Sequence, residues 1–126
     1  MRHLKAGIKL TIAFFNTNES ITAKLLKMDI PQMLMNLYYK THMSLPLKLL
    51  ILRGLDTICD NANGVEYVIG NVCSWTQEDN QTVEETCYQR LLNLLLSSPA
   101  TRTVVALTAL IRKIHFYELL KIFNNS

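Results

Sequence analysis

The sequence has few of the residues that build tight turns. It contains four glycines and three prolines among 126 residues, whereas a β-sandwich or β-barrel needs turn signals at short, regular spacing. Charged residues are scarce as well, at 18% against 49% hydrophobic residues, and this balance argues against a disordered chain. A net charge of +3 is too small to indicate a dedicated nucleic-acid-binding domain. Composition therefore predicts one all-α domain with a buried core.

Long apolar segments are also missing. The longest leucine-rich runs are residues 49–52 and 91–96, far below the roughly 20 apolar residues of a membrane helix. Residues 1–16 begin with basic residues as a signal peptide does, but Lys9 interrupts their apolar part and no small-residue cleavage site follows. We therefore predict no membrane segment and no secretion signal.

The cysteines also argue against a secreted, disulfide-bonded protein. Cys59, Cys73 and Cys87 are odd in number and have no paired spacing, which predicts reduced, packed thiols. Three formal glycosylation sequons begin at Asn18, Asn80 and Asn124. A small secreted helical bundle that uses these sequons is the alternative, and a mass shift after glycosidase treatment would identify it.

Signatures of catalysis are absent from the sequence. There is no glycine-rich phosphate loop and no HExxH, CxxC or GxSxG motif. His3, His42 and His115 lack the neighbouring ligands of a zinc site. We interpret His115, at an expected helix junction, as a hydrogen-bonded structural imidazole rather than a catalytic base. The sequence predicts a protein that is not an enzyme and has no catalytic residue, cofactor, metal ion or small-molecule substrate.

Helix-start signals recur along the chain instead. A cap residue precedes a proline at 29–31, 44–46 and Ser98-Pro99, and capping-box spacing occurs at 63–66 and 82–85. With apolar residues at helical spacing, these signals predict helices at residues 4–16, 20–28, 30–40, 45–60, 64–73, 83–97, 99–113 and 115–123.

A polar loop is expected at residues 74–81. It contains Trp75, which is a candidate partner anchor if it is exposed, although folding back onto the helices is favoured. Glu84 and Glu85 are interpreted as first-turn acids of the following helix.

Helix 99–113 has a modest basic face. Arg102, Arg112 and Lys113 lie opposite an apolar stripe of this helix. They could contact RNA or an acidic partner, although a solvated face is favoured. The partner-binding residues stay unassigned from the sequence.

Helix 45–60 is apolar over more than half of its circumference, and only Arg53, Asp56 and Asp60 form its polar strip. Because such a helix is buried on more than one side, we expect it to form a middle layer. Gly54 lies in its apolar sector, where a glycine costs about 0.8–1.0 kcal/mol relative to alanine. We expect the close approach of another helix backbone to compensate.

Three segments repeat a pattern of aliphatic residues around one small residue. They are IKLTIAFFN (8–16), LLILRGLDTICD (49–60) and VVALTALIRKI (104–114). The first spacing lies in the roughly 40–47-residue range of armadillo and HEAT repeats, and the second is longer by about one loop. Each segment is followed by a second apolar helix, so the unit is the helix pair of an α-solenoid.

We therefore predict an all-α solenoid of armadillo/HEAT-like repeats. Residues 1–126 would form a single helical-repeat segment, with approximate repeats at 4–40, 45–73 and 83–123. Because both ends lie in apolar helices without polar capping faces, we expect a fragment of a longer array or a truncated gene product. A compact helical bundle is the alternative.

Two segments resemble one family of helical-repeat proteins. MSLPLKLLILRGLDTICDNANGVEYVIG (43–70) and SSPATRTVVALTALIRKIHFYELL (97–120) are similar to the helical-repeat region of Virilizer proteins. Those proteins are large scaffold subunits of the nuclear complex that methylates adenosine in messenger RNA. The resemblance implies a nuclear, non-catalytic scaffold segment that holds a catalytic heterodimer and regulatory subunits together and affects alternative splicing. It transfers no binding role to an individual residue.

The partners implied by the resemblance are protein subunits of that complex, and direct contact with RNA is left open. The alternative is a generic armadillo or HEAT adaptor, nuclear or cytoplasmic, that binds peptides in a concave groove. Co-purification separates the two hypotheses, because methylation subunits would accompany the first protein and cargo or signalling proteins the second.

Overall fold

The computed structural model describes residues 2–15, 17–40, 43–77, 79–97 and 100–125. Within these ranges the chain forms seven helices and one two-stranded antiparallel sheet. In chain order they are α1 (Arg2–Phe14), α2 (Glu19–Lys27), α3 (Ile30–Tyr38), α4 (Leu45–Ile58), α5 (Ala62–Gly70), β1 (Val72–Thr76), β2 (Thr82–Thr86), α6 (Cys87–Leu96) and α7 (Thr101–Asn125). The all-α prediction is confirmed for most of the chain, and the sheet is the exception. None of these described helices is both long and apolar enough to cross a membrane.

Helix α4 is the middle layer that its apolar circumference predicts. It packs against α1, α3 and α7, and Ile51, Leu55 and Ile58 on it are fully buried. A hydrophobic residue of this size stabilises the fold by about 1.5–3 kcal/mol when it is fully buried. The other helices are therefore arranged around a helix that has little surface left for water.

Gly54 confirms the prediction of close packing, with a different partner. A Cβ atom at this position would lie 2.8 Å from Cδ1 of Ile12 on α1 and 3.6 Å from Cδ1 of Leu34 on α3. The space that the glycine leaves is therefore filled by side chains of two helices, whereas the sequence suggested the approach of a backbone. The packing of α1 and α3 on α4 depends on this gap.

Several helix starts match the sequence signals. Helices α3 and α4 begin after Asp29 and Ser44, each with a proline in the first turn. Helix α5 begins two residues earlier than predicted, because the side chain of Asn61 accepts a hydrogen bond of 2.9 Å from the backbone N–H of Asn63. The predicted start at Ser98-Pro99 lies outside the described residues.

A β-hairpin replaces the predicted loop at 74–81 and the predicted helix start at 83. Strands β1 and β2 pair from Val72 opposite Thr86 to Thr76 opposite Thr82. Alternate side chains of β1 are buried, which is the period-2 pattern of a strand with one face on the core. The strands are rich in β-branched residues, which fit a half-buried pleated surface. An isolated two-stranded hairpin is at best marginally stable, so its packing on the helices holds it in place.

Trp75 on β1 is buried, with 1% of its surface exposed. Its Nε1–H donates a hydrogen bond of 2.9 Å to the backbone oxygen of Glu85 on β2. The guanidinium of Arg90 stacks on the same ring, 4.6 Å from its centroid, and lies 4.7 Å from the ring of Tyr39. The hypothesis that Trp75 is an exposed partner anchor is therefore wrong, and the alternative of folding back onto the helices is confirmed.

Glu84 and Glu85 are strand residues rather than first-turn acids. Helix α6 begins at Cys87, because Thr86 and Gln89 form a complete capping box: the Thr86 hydroxyl accepts from the Gln89 N–H at 3.1 Å, and Gln89 Oε1 accepts from the Thr86 N–H at 2.8 Å. The capping box predicted at 82–85 does not form, because these residues pair with β1 in the hairpin.

Helix α7 is continuous, although the sequence predicted a break between residues 113 and 115. No proline or glycine lies in that region, and nothing there interrupts the helical hydrogen bonds. The buried residues Leu107, Leu110 and Ile114 keep helical spacing through the predicted junction. The result is one helix of 25 residues, about 37 Å long at 1.5 Å per residue.

Gly64→Ala is expected to destabilise the protein strongly. A Cβ atom at Gly64 would lie 2.0 Å from the backbone oxygen of Ile58, and only a shift of the backbone can relieve that overlap. We expect the free energy of unfolding in urea to fall by roughly 3 kcal/mol. Gly70→Ala in the same helix is the matched control, because nothing lies within 4 Å of the added atom. Equal effects of the two substitutions would contradict the packing at Gly64.

Because the chain has one tryptophan, fluorescence quenching tests the hairpin. Acrylamide should quench Trp75 much less in the folded protein than in urea, since the ring is covered by Arg90 and the helices. N-acetyltryptophanamide provides the reference for full exposure. If acrylamide quenches the native protein as strongly as the reference, Trp75 is exposed and the predicted loop at 74–81 is right after all.

Candidate interaction surfaces

The histidines do not assemble a metal site in the part of the chain that the structure describes. No group of three or more His, Cys, Asp or Glu side chains there could hold a metal ion. His115 lies inside α7 and is exposed, and its Nε2 is 2.6 Å from the hydroxyl oxygen of Tyr88 on α6. The prediction of a hydrogen-bonded imidazole is thus confirmed, and the prediction of a helix junction at His115 is wrong. His42 lies outside the described residues.

The three cysteines are buried and free, as the sequence predicts. Burial raises the pKa of the Cys59 thiol to about 12 and also raises the pKa of Cys87. A thiol with a raised pKa stays protonated near neutral pH and is a poor nucleophile. Cys59 and Cys87 are therefore packing residues of the core.

Tyr67 fastens the start of α3 to α5. Its hydroxyl donates a hydrogen bond of 2.6 Å to Oδ1 of Asp29 and lies 3.9 Å from Sγ of Cys73. Burial and the hydrogen bond to Asp29 raise the pKa of Tyr67. The carboxylate of Asp29 therefore has a tertiary partner and does not cap its own helix, which agrees with its left-handed backbone at φ 58°.

The predicted basic face consists of Arg102, Arg112 and Lys113. In the structure, one of these residues forms ion pairs and the other two face solvent. Lys113 donates to Oδ2 of Asp56 at 2.9 Å and to Oδ1 of Asp60. Although burial alone lowers the pKa of Lys113, these hydrogen bonds outweigh it and the pKa is raised. Lys113 thus joins α7 to the end of α4, while Arg102 and Arg112 are exposed.

An exposed apolar stripe covers one side of the second half of α7. Phe116, Leu119, Leu120 and Phe123 lie within about 100° of arc at 3.6 residues per turn, and their exposed fractions run from 45% to 72%. We call these four residues the α7 stripe. Spacing of i, i+3, i+4 and i+7 is the pattern by which helices dock in apolar grooves or against each other.

The opposite side of this half of α7 is fixed to α5. The hydroxyl of Tyr117 donates to Oε1 of Glu66 at 3.1 Å, and Nζ of Lys121 lies 2.7 Å from the same oxygen. The hydrogen bonds from Lys121 and Tyr117 lower the pKa of Glu66. These contacts determine which side of α7 faces the domain, and the α7 stripe faces away from it.

A shallow apolar groove of about 330 Å³ continues the α7 stripe toward α6. Leu95 of α6 and Ile111 of α7 line it together with Phe116 and Leu119 of the stripe. Contiguous exposed apolar surface of this kind marks interaction sites in soluble proteins. The sequence pointed to the apolar end of the chain, but it did not place Leu95 beside it, because that contact depends on how α6 packs on α7.

Comparison with known proteins points to one group of relatives. No family model matches the sequence. Over 120 residues, or 95% of its length, the chain is 33% identical to the protein virilizer homolog of Mus musculus and 31% identical to that of Homo sapiens. The chain is similar to a region of Virilizer. It is also 27% identical over 121 residues to protein virilizer of Drosophila melanogaster, and it spans about 6% of the length of each of these relatives. The Virilizer similarity thus extends well beyond segments 43–70 and 97–120.

The raised pKa of Cys59 predicts a loss of stability at alkaline pH. The thiol titrates near 9.0 when unfolded and near 12 when folded. Between these values the unfolded state releases a proton that the native state keeps, so the free energy of unfolding falls as the pH rises. One such group contributes up to about 1.4 kcal/mol per pH unit. Urea unfolding between pH 8 and 11 should show a shallower slope for Cys59→Ala, and an unchanged slope would contradict the burial of this thiol.

Proposed function

We propose that this chain is a non-catalytic scaffold segment of a nuclear RNA-processing complex and supports messenger RNA adenosine methylation and alternative splicing. The observation that carries the proposal is the similarity to Virilizer proteins over 95% of the chain. The α7 stripe supports it physically, because a scaffold needs apolar surface that its own fold does not cover. The segment acts by binding protein subunits rather than by chemistry.

The proposal includes an armadillo/HEAT-like arrangement with repeats near 4–40, 45–73 and 83–123. Two observations support it: α4 packs on α1, α3 and α7, and the hairpin of β1 and β2 spans the boundary between the second and third repeats. In such an array each unit contacts its neighbours and one helix of each pair lines a continuous surface.

The second candidate function is that of a generic armadillo or HEAT adaptor for peptides, unrelated to RNA methylation. The apolar groove between α6 and α7 favours it, since a groove of about 330 Å³ fits a few side chains of a bound segment. The same groove serves a scaffold subunit equally well, so the identity of the bound proteins decides between the two functions.

Affinity purification of the tagged chain from nuclear extract tests the proposal. We expect subunits of the messenger RNA adenosine methyltransferase complex among the recovered proteins, identified by mass spectrometry. The double variant Phe116→Glu/Leu120→Glu places two charges in the α7 stripe and should reduce their recovery at least tenfold, about 1.4 kcal/mol.

Ile122→Glu is the matched control, because Ile122 is 64% exposed on the same helix but lies outside the arc of the α7 stripe. It should leave the recovery of methylation subunits unchanged. Recovery of cargo or signalling proteins in place of methylation subunits would establish the adaptor and refute the methylation role. Equal recovery by all three proteins would show that the α7 stripe is not the surface used.

A further inference from the structure

A second groove, separate from the α7 stripe, lies where α1, α4 and the start of α7 meet. Its volume is about 720 Å³, within the range of about 300–1,000 Å³ for ligand sites. Leu45, Leu49 and Leu50 of α4 line it with apolar surface. We call it the basic groove, because the charged side chains that line it are Lys5, Lys9, Arg53 and Arg102.

The positions of these cations follow from helix geometry. Lys5 and Lys9 are four residues apart on α1, so they lie on one face, one turn apart. Leu45, Leu49 and Arg53 form a corresponding row on α4, about 12 Å long. An apolar strip is therefore bordered by lysines on one side, with Arg53 at its end.

The charge of the basic groove is not neutralised within the described part of the chain. None of the ion pairs formed there includes Lys5, Lys9, Arg53 or Arg102. A neighbouring groove of about 480 Å³ shares Leu49, Arg53 and Arg102 and has one acid, Asp56. That carboxylate is already engaged by Lys113 at 2.9 Å. Both grooves therefore offer positive charge and no unpaired carboxylate among their described lining residues.

From this charge and shape we propose that the basic groove binds an acidic amphipathic helix of a partner protein. The leucines accept aliphatic side chains spaced i and i+3 or i+4, and the cations meet Asp or Glu side chains that flank this apolar strip. Two turns of helix match the row of α4. Charge complementarity of this kind steers association and fixes the orientation of the bound segment.

Charge and apolarity together select this partner over RNA. A nucleic-acid site gains affinity from many phosphate contacts, whereas this groove offers four cations and a chain of net charge +3. Contact between the leucines and a phosphate backbone would add nothing to the free energy of binding. Each aliphatic side chain that the leucines remove from water would add to it. The inference does not require the methylation role, since an adaptor would use the same groove.

Fluorescence anisotropy with synthetic peptides tests the proposal on the full chain. The probe is a fluorescein-labelled peptide of about 16 residues, long enough to be helical, with leucine at every third or fourth position and glutamate between. We expect saturable binding that weakens with added salt. The same peptide with serine in place of leucine, and the same peptide with lysine in place of glutamate, should each bind at least tenfold more weakly.

Lys9→Glu/Arg53→Glu reverses two charges of the basic groove and should weaken binding of the glutamate–leucine peptide at least tenfold. Lys24→Glu is the matched control, because Lys24 is an exposed residue of α2 that does not line the groove. Circular dichroism establishes that each variant folds. If the double variant does not fold, Lys5→Ser/Lys9→Ser replaces it, since both lysines are exposed.

Three results would overturn the proposal. The first is equal affinity of the wild type and the charge variant for the peptide. The second is tight binding of a single-stranded uridylate oligonucleotide that competes with the peptide and is lost in the charge variant, which would make the groove an RNA site. The third is a dimer in sedimentation that the charge variant abolishes, which would make the occupant a second copy of this chain.

Discussion

Helix α4 can expose only a narrow strip to water, and the rest of the fold follows from that constraint. Its apolar residues from Ile51 to Ile58 are buried and pack with α1, α3 and α7, and the leucines near its start line the basic groove. At its centre Gly54 leaves room for Ile12 and Leu34, and beyond its end Gly64 allows α5 to pass against the backbone oxygen of Ile58. The turn from α4 into α5 therefore depends on a position at which no side chain fits.

The helices and the way in which they pack on α4 can largely be predicted from the sequence. The apolar circumference of α4 and the close packing at Gly54 follow from helix amphipathicity. The starts of α3 and α4 follow from a proline in the first turn, whereas the predicted side-chain caps Asp29 and Ser44 do not form. These rules succeed because α4 is hydrophobic over so much of its surface that every compact arrangement of the chain buries it. The similarity to Virilizer proteins, which covers 95% of the chain, is likewise recognisable from the amino-acid sequences of residues 43–70 and 97–120.

The hairpin shows where such rules fail. Residues 72–86 contain polar residues that resemble a loop and a capping box that resembles a helix start, and both patterns are outweighed by tertiary contacts. Burial of Trp75 under Arg90, with its N–H on Glu85, requires β1 and β2 to pair. The basic groove was missed for a related reason: Lys5, Arg53 and Arg102 come from three helices, and no sequence spacing brings them together.

Helix α7 joins two surfaces that the fold keeps apart. Arg102 in its first turn borders the basic groove, and Phe123 in its last turns belongs to the α7 stripe. Between them Leu107 and Leu110 are buried in the core, and Tyr117 and Lys121 join the second half of the helix to α5. Arg102 and Phe123 are 21 residues apart on this one helix, about 32 Å along its axis at 1.5 Å per residue. The length of one continuous helix therefore sets the distance between the basic groove and the α7 stripe.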